Sequence, residues 1–186
     1  MPQWTSLPAH FRLATSGTDT IPAGEQLVYS LTLTPSQTSL YGILTDSMTV
    51  AMGDSPVATV GLQAIVEEDF TTLTPGQVAA APQIRVSADR VDFGRYDPAA
   101  GPMQGEFTIE NLGKNDLLLR RVYTMDPGVT LEPSSDKVKR GKKVTVHVTV
   151  DPAALPAPLL NARVQVIAND PVNPLTLVRL VGEAIE

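Results

Sequence analysis

A histidine beside a nucleophile and an orienting acid is a common way to build a hydrolase. This 186-residue chain has two histidines, His10 and His147. His10 lies ahead of the first repeated unit, and His147 shares the polar face of a strand with Thr145 and Thr149. No serine sits in Gly-x-Ser-x-Gly, and neither His-x-x-x-His nor His-Glu-x-x-His occurs. Those spacings would place a nucleophile on a sharp turn or two ligands on one helix face. Without them a nucleophile, base and orienter are unsupported, and no catalytic residue, metal site or cofactor is expected.

Three other groups of residues carry chemistry. Lys137, Lys139, Arg140, Lys142 and Lys143 form the one basic cluster around Gly141. Within it, Lys139, Arg140, Lys142 and Lys143 are the candidate anion-binding turn, for a glycan, a headgroup or a phosphate. No aromatic interleaves them, and a solvated hairpin turn is the plainer interpretation. Asp46, Asp54, Glu67, Glu68, Asp69 and Asp170 suggest calcium only by type, since no Asp-x-Asp-x-Asp-Gly loop arranges them. They fit turn formation and solvation better. Trp4, Tyr29, Tyr41 and Tyr96 are scattered, which favours packing over a sugar-binding platform.

The elements that must hold these residues come in two copies. Ile21-Pro-Ala-Gly24 through Pro35 aligns with Val138-Lys-Arg-Gly141 through Pro152, 117 positions on. Thr49 to Pro56, with Asp54 in its turn, resembles Gln165 to Pro171, with Asp170. Each copy predicts a turn, an alternating strand, a loop, a second strand, an Asp/Pro turn and a last strand, hence two modules of one fold. The bulk composition agrees. Hydrophobic residues are 42%, charged residues 18% and aromatics 5%, with 16 Pro and 13 Gly. That mix suits short strands joined by turns. The net charge of −6 disfavours a phosphate backbone, so nucleic acid is not the expected partner. The absence of cysteine excludes disulfides and thiolate chemistry and leaves the redox compartment open. No run approaches the roughly 20 apolar residues of a membrane span. No charged start leads into an apolar signal core, so a signal peptide is either already removed or was never present.

The second module, residues 83–186, is the clearer. Strands are expected at Gln83–Ser87, Arg90–Phe93, Gly105–Glu110, Leu117–Tyr123, around Val144–Val150, and at Val164–Ala168 and Leu175–Val181. Val144, Val146, Val148 and Val150 alternate with polar residues, the period of a half-buried strand. Val146, Val148, Phe107 and Ile109 are the expected core. About seven strands in roughly 100 residues is the pattern of an immunoglobulin-like sandwich. Between the modules, residues 69–82 read as a linker. Thr74-Pro-Gly-Gln77 has the form of a capping box, and Pro82 stops the short helix it starts.

The first module, residues 1–68, is incomplete. Fifty-five residues, Gln83 to Lys137, precede the aligned Val138, whereas 20 precede Ile21. The shortfall matches two or three early strands, which 1–19, with Trp4, Leu7, Phe11 and Leu13, cannot all supply. Leu27, Tyr29, Leu31 and Leu33 then need something to pack on. Either the chain is a fragment of a longer protein, or another element completes the sandwich, such as an identical module in a homodimer.

Val91-Asp-Phe-Gly94, Phe107-Thr-Ile-Glu-Asn-Leu-Gly113, Leu117-Leu-Leu, Gly141, Asn169-Asp-Pro171 and Leu180-Val-Gly182 resemble the Hydin-type repeat. That repeat belongs with the major-sperm-protein and PapD-like immunoglobulin folds. The resemblance is nearest to tandem repeats of bacterial secreted or periplasmic proteins of unknown function. Glu68-Asp-Phe70 with Leu73-Thr-Pro75 is similar to the junction between such repeats. Many members carry Cys-Gly-Cys-Thr after the strand matching Leu117–Tyr123, where this chain has Thr124–Gly128, so no redox or metal role carries over. The individual motifs also have physical roles. Phe93-Gly94 reads as a kink ending an edge strand, Asn111 and Gly113 as tight-turn residues able to take positive φ, and Asn169-Asp-Pro171 as a turn with side-chain acceptors.

These readings imply an all-β protein of tandem immunoglobulin-like sandwiches, the first incomplete, joined by a short helical linker. The function expected is structural or protein-binding and not enzymatic. Partners, or a second copy, would add to exposed strand edges. The resemblance implies a secreted, periplasmic or cell-surface setting. The alternative is an extracellular glycan-binding or adhesin module.

Overall fold

Proline, glycine and alternating β-branched residues cut this chain into short extended runs, and the computed structural model follows those cuts. It describes residues 2–15, 21–52, 54–156 and 158–185. The chain divides into two compact units, Met1–Glu67 and Glu68–Glu186.

The first unit holds β1 (Pro2–Thr5), β2 (Phe11–Thr15), β3 (Tyr29–Leu33), β4 (Gly42–Met52) and β5 (Ser55–Val66). β1, β4 and β5 form one antiparallel sheet in that order, and β2 and β3 form another. The β4–β5 hairpin runs from Gly42 opposite Val66 to Met52 opposite Ser55, with a bulge between Val50 and Ala51. Gly53, within the expected Asp/Pro turn, lies outside the described residues, as do residues 16–20 of the stretch before the first repeat. Leu44, Met48, Leu62 and Val66 are buried. In β3, Tyr29, Leu31 and Leu33 are half-buried while Ser30 and Thr32 are exposed, which is the expected period of two.

The second unit opens with α1 (Pro75–Ala80), whose start is the predicted capping box. The Thr74 hydroxyl accepts from Gln77 N at 3.3 Å, and the Gln77 side chain accepts from Thr74 N at 2.8 Å. No side chain of α1 is buried, so its caps rather than packing define it. Nine strands follow among the described residues: β6 (Ile84–Val86), β7 (Arg90–Tyr96), β8 (Met103–Asn111), β9 (Leu117–Tyr123), β10 (Val129–Pro133), β11 (Lys137–Val138), β12 (Lys143–Val150), β13 (Leu159–Ala168) and β14 (Leu175–Ala184). They make two sheets, in the orders β10-β12-β8-β6 and β11-β9-β13-β14-β7. All pairings are antiparallel except β7 with β14. Phe107, Ile109, Val146 and Val148 lie in the one core, as expected, with Val164, Val166, Val178 and Leu180. β10 and β11 were not foreseen. β11, only two residues, is too short for alternation to announce it, and β10 begins just after Asp126-Pro-Gly128 and ends on Pro133, so breaker residues frame its alternation.

Two motif expectations change. Gly94 has φ +65°, but β7 continues to Tyr96, and the ladder shifts between Val181 and Glu183. The kink is therefore a bulge inside the edge strand, not its end. Asn111 and Gly113 are not among the residues at positive φ. Gly113 is needed for space: a Cβ there would collide with the Ala81 carbonyl oxygen and with Gln83 N.

The repeat is now visible as topology. β1 adds to β4 as β9 adds to β13, β2 pairs with β3 as β10 pairs with β12, and the β4–β5 hairpin matches β13–β14. Residues 2–15 thus supply counterparts of β9 and β10. Among the described residues the first unit has no counterpart of β6, β7 or β8.

Candidate functional site

Within each unit, the residues that could do chemistry do not converge on one site among the described residues. His10 precedes β2 and donates from Nε2 to Asp46 Oδ2 of β4 at 2.7 Å, a half-buried bond between the two sheets of the first unit. Among the described residues Asp46 is the one side chain hydrogen-bonded to His10, so the pair has an orienter and no nucleophile. His147 is exposed on β12, with Nδ1 3.8 Å from Glu106. No three His, Asp or Glu side chains among the described residues are arranged to hold a metal ion. The hollow beside Gly94 is lined by Arg90, Asp92, Arg95, Asn161 and Glu183, without a histidine or a hydroxyl nucleophile.

Three of the acids considered for calcium, Glu68, Asp69 and Asp170, are engaged by hydrogen bonds within the second unit. Asp69 accepts from the Thr71 hydroxyl and backbone N–H at 2.6 and 2.9 Å, and these bonds hold its carboxyl below the ordinary range. Glu68 is gripped by Arg120 through two bonds of 2.8 Å. Asp170 is fully buried and accepts three backbone N–H groups, from Ile84, Val172 and Asn173. Its neighbour Asn169 accepts from Leu118 N at 2.7 Å. Asn111, also fully buried, accepts from Gly113 N and donates to the carbonyls of Asn115 and Val138. Buried polar groups must be paired, and these pairings staple strands far apart in sequence. The motif residues form turns, as expected, and also act as internal clamps.

The basic turn joins β11 to β12. Gly141 takes φ +68°, Lys142 N donates to the Lys139 carbonyl, and Gly141 N donates to the Asn111 carbonyl. Lys139, Arg140, Lys142 and Lys143 are all exposed there. Lys143 lies 3.8 Å from Glu110, its cross-strand neighbour on β8, and Arg85 of β6 bonds the same carboxylate from the other side. The Arg85 hydrogen bond, with the charges of Arg85 and Lys143, holds the Glu110 carboxyl below its ordinary value. Lys137 pairs with Asp116 at 2.7 Å. Lys139, Arg140 and Lys142 have no ionic partner among the described residues.

Three of the four aromatics considered for a sugar platform pack within their own units. Trp4 packs edge-on against Tyr29 at 5.2 Å, and Tyr96 is buried with its hydroxyl donating to the Pro158 carbonyl at 3.0 Å. Burial also raises the pKa of that hydroxyl.

The feature that stands out is the open layer of the first unit. In the second unit β12 is flanked by β10 and β8, and β14 by β13 and β7. The matching strands β3 and β5 each have a pairing on one side only among the described residues. The difference reaches the side chains. Val144, Val146, Val148 and Val150 are buried, whereas Leu27, Tyr29, Leu31 and Leu33 at the matching positions are half-buried. Val60, opposite Met48, is 40% exposed, and its counterpart Val178, opposite Val164, is 0% exposed. Trp4 Nε1 is buried without an acceptor among the described residues. Unpaired N–H and C=O groups along a strand beside an apolar face form a template for a further strand. The repeat spacing predicts a shortfall of early strands, and the edges it leaves unpaired among the described residues are those of β3 and β5.

A protein of unknown function from Porphyromonas gingivalis W83 has a similar structure over 98% of this chain and 84% of that one, with a TM-score of 0.71 at 20% identity. That likeness is one of fold. The Vibrio cholerae VesB protease shares 16% identity over 54% of this chain and 32% of that chain, with a TM-score of 0.46. The PapD-like domain 7 of human CEP192 shares 14% over 66% of this chain and 96% of that chain, with a TM-score of 0.44. No curated protein matches the sequence. Residues 82–183 match the family described as HYDIN/CFA65/VesB-like, Ig-like domain. With more than half of its length in that match, the chain belongs to the HYDIN/CFA65/VesB-like family of immunoglobulin-like domains.

Proposed function

We propose that this chain is a non-catalytic protein-interaction module that takes its partners at exposed strand edges. The observation that supports this is the edge of β3 left unpaired among the described residues, bordered by half-buried Tyr29, Leu31 and Leu33. Main-chain hydrogen bonds along such an edge supply affinity, and alternate side chains supply specificity. The family favours the same reading, since an immunoglobulin-like sandwich recognises by surface and needs no catalytic pocket. Its bacterial setting in the periplasm, at the cell surface or in the medium is part of the proposal and rests on the resemblance to repeats of secreted proteins. Residues 69–82 serve as a helical linker between an interaction unit, 1–68, and a self-contained sandwich, 83–186. Lys139, Arg140, Lys142 and Lys143 add weak attraction for anions. No helix among the described residues is long and apolar enough to cross a membrane.

Amide hydrogen exchange on the full chain tests the reading. A panel of ten-residue peptides alternating apolar and polar residues should slow exchange along at least one edge strand. Peptides N-methylated on alternate amides should not. Failure of every peptide to protect any edge would defeat it.

A further inference from the structure

We propose that the outer face of β13, β14 and β7 in the second unit binds a linear acidic polysaccharide, a site separate from any strand edge and independent of the reading above. Cross-strand register puts three arginines in one row there. Arg163 of β13 stands opposite Arg179 of β14, and Arg179 stands opposite Arg90 of β7. All three are exposed, while their neighbours Val164, Val178 and Leu180 point into the core. Like charges directly opposite each other destabilise a sheet, so charge alone gives the fold no reason for the row. Arg90 is bonded to Asp92 at 2.7 Å, and Arg95 stands opposite Glu183. Arg163 and Arg179 have no ionic partner among the described residues. Asp126 accepts the backbone N–H of Arg163 at 3.0 Å, not its guanidinium. Four arginines thus lie on these strands against two carboxylates and without a lysine, in a chain of net charge −6. A guanidinium offers a planar fork of donors that fits carboxylate or sulfate in pairs, which an ammonium does not.

The spacing selects the shape of the ligand. Adjacent strands lie about 4.8 Å apart, so the three arginines extend over roughly 10 Å across the strands. A chain laid along the row, with oxyanions repeating down its length, meets all three. The flanking rows suit a sugar. Gln165 and Leu177 lie on one side, and Asn161, Val181 and Asp92 on the other. Asn161 and Gln165 offer amides to hydroxyl groups, and Leu177, 49% exposed, offers apolar surface to a ring face. A hollow of about 450 Å³, bordered by Arg90, Asn161 and Val181, opens beside the row and leaves room for a pendant group. Asp92 and Glu183 lie off the row, where a narrow chain avoids them and a flat anionic bilayer would press on both. The net charge of −6 disfavours nucleic acid here as elsewhere.

Titration calorimetry of the full chain with oligosaccharides of polygalacturonate and of heparin, at several salt concentrations, tests the proposal. Binding to either supports it, and the preferred one names the oxyanion as carboxylate or sulfate. Affinity should fall steeply as salt rises, and neutral dextran should not bind. Arg163→Gln with Arg179→Gln should weaken binding roughly tenfold or more and flatten its salt dependence. The thermal midpoint of that variant should hold level or rise, because a like-charge pair is gone. Arg163→Lys with Arg179→Lys should keep the salt dependence yet bind several-fold more weakly than the parent. Absence of binding to both oligosaccharides would overturn the proposal, as would parental affinity in the double Gln variant. Binding lost only when Lys139, Arg140, Lys142 and Lys143 become Ser would overturn it in favour of the basic turn. Tighter arginine-dependent binding to phosphatidylglycerol vesicles or to duplex DNA would overturn the polysaccharide assignment.

Discussion

Asp170 Oδ2 accepts the backbone N–H of Ile84 at 2.9 Å, across 86 residues of sequence. Its Oδ1 accepts from Val172 N at 2.9 Å and Asn173 N at 3.2 Å. One carboxylate thus closes the turn before β14 and anchors the first strand of the second unit. Asp170→Ala leaves these donors without their acceptor in a buried place. A loss of roughly 2–4 kcal/mol is expected in denaturant unfolding, more than one ordinary hydrogen bond contributes. Asp170→Asn keeps one acceptor and should lose less.

The valine stripe of β12 makes a sharper demand. Val148 is fully buried between the sheets, whereas His147, next to it, faces solvent. Val148→Asp buries an unpaired charge, with an expected cost of about 3–5 kcal/mol. That is a large share of the roughly 5–15 kcal/mol holding an ordinary domain together. His147→Lys, opposite Glu106, should change stability by no more than about 0.5 kcal/mol. Thermal melts of the two variants check both faces of the strand.

Glu110 carries a pH signature. Its pKa is lowered from 4.5 in the folded chain, first by the Arg85 hydrogen bond and then by the charges of Arg85 and Lys143. A depressed carboxylate stabilises the fold above its unfolded pKa, and that stabilisation is lost as pH falls through the folded value. Glu110→Gln should therefore be less stable than the parent at pH 7. The gap should close below about pH 4.5, and salt should narrow it at neutral pH. Unfolding midpoints measured from pH 7 to pH 3 test this.

Replacing Lys139, Arg140, Lys142 and Lys143 together with Ser should leave the fold intact, because all four are exposed and Gly141 keeps its turn. The small expected loss of stability comes through Lys143 and its contact with Glu110. Retention on a sulfated polysaccharide at low salt should fall, in line with weak and screened attraction. Tight, salt-resistant binding that vanishes in the variant would instead make the turn a specific site.

A further check concerns the unit boundary. Residues 83–186 alone should unfold cooperatively, since both sheets of the second unit and its core lie within that range. Residues 68–186 should be somewhat more stable, because they restore the Glu68–Arg120 pair and the backbone bond from Lys114 N to the Ala81 carbonyl. Equal midpoints would show that the linker adds nothing.

Features that depend on neighbours within a few positions were legible in the chain itself. Alternation at two residues marked β3 and β12 and chose their inner faces. Thr74 and Gln77, three apart, specified the helix start. Gly24 and Gly141, 117 apart, both take positive φ, so the repeated turn was legible as chemistry as well as spelling. Features that depend on distant partners took shape only on packing. Asn111 became a clamp only because Val138 lies beside it, and Gly113 became indispensable only because Ala81 and Gln83 run against it. Residues 2–15 found their places on β4 and β3 through pairings 14 to 50 positions away, which short strands do not announce. The same holds for the candidate site. Leu31 and Val148 have the same place in the repeat and the same alternation. One is half-buried and the other sealed because burial is set by the layer laid over a strand, and among the described residues β12 has that layer and β3 does not.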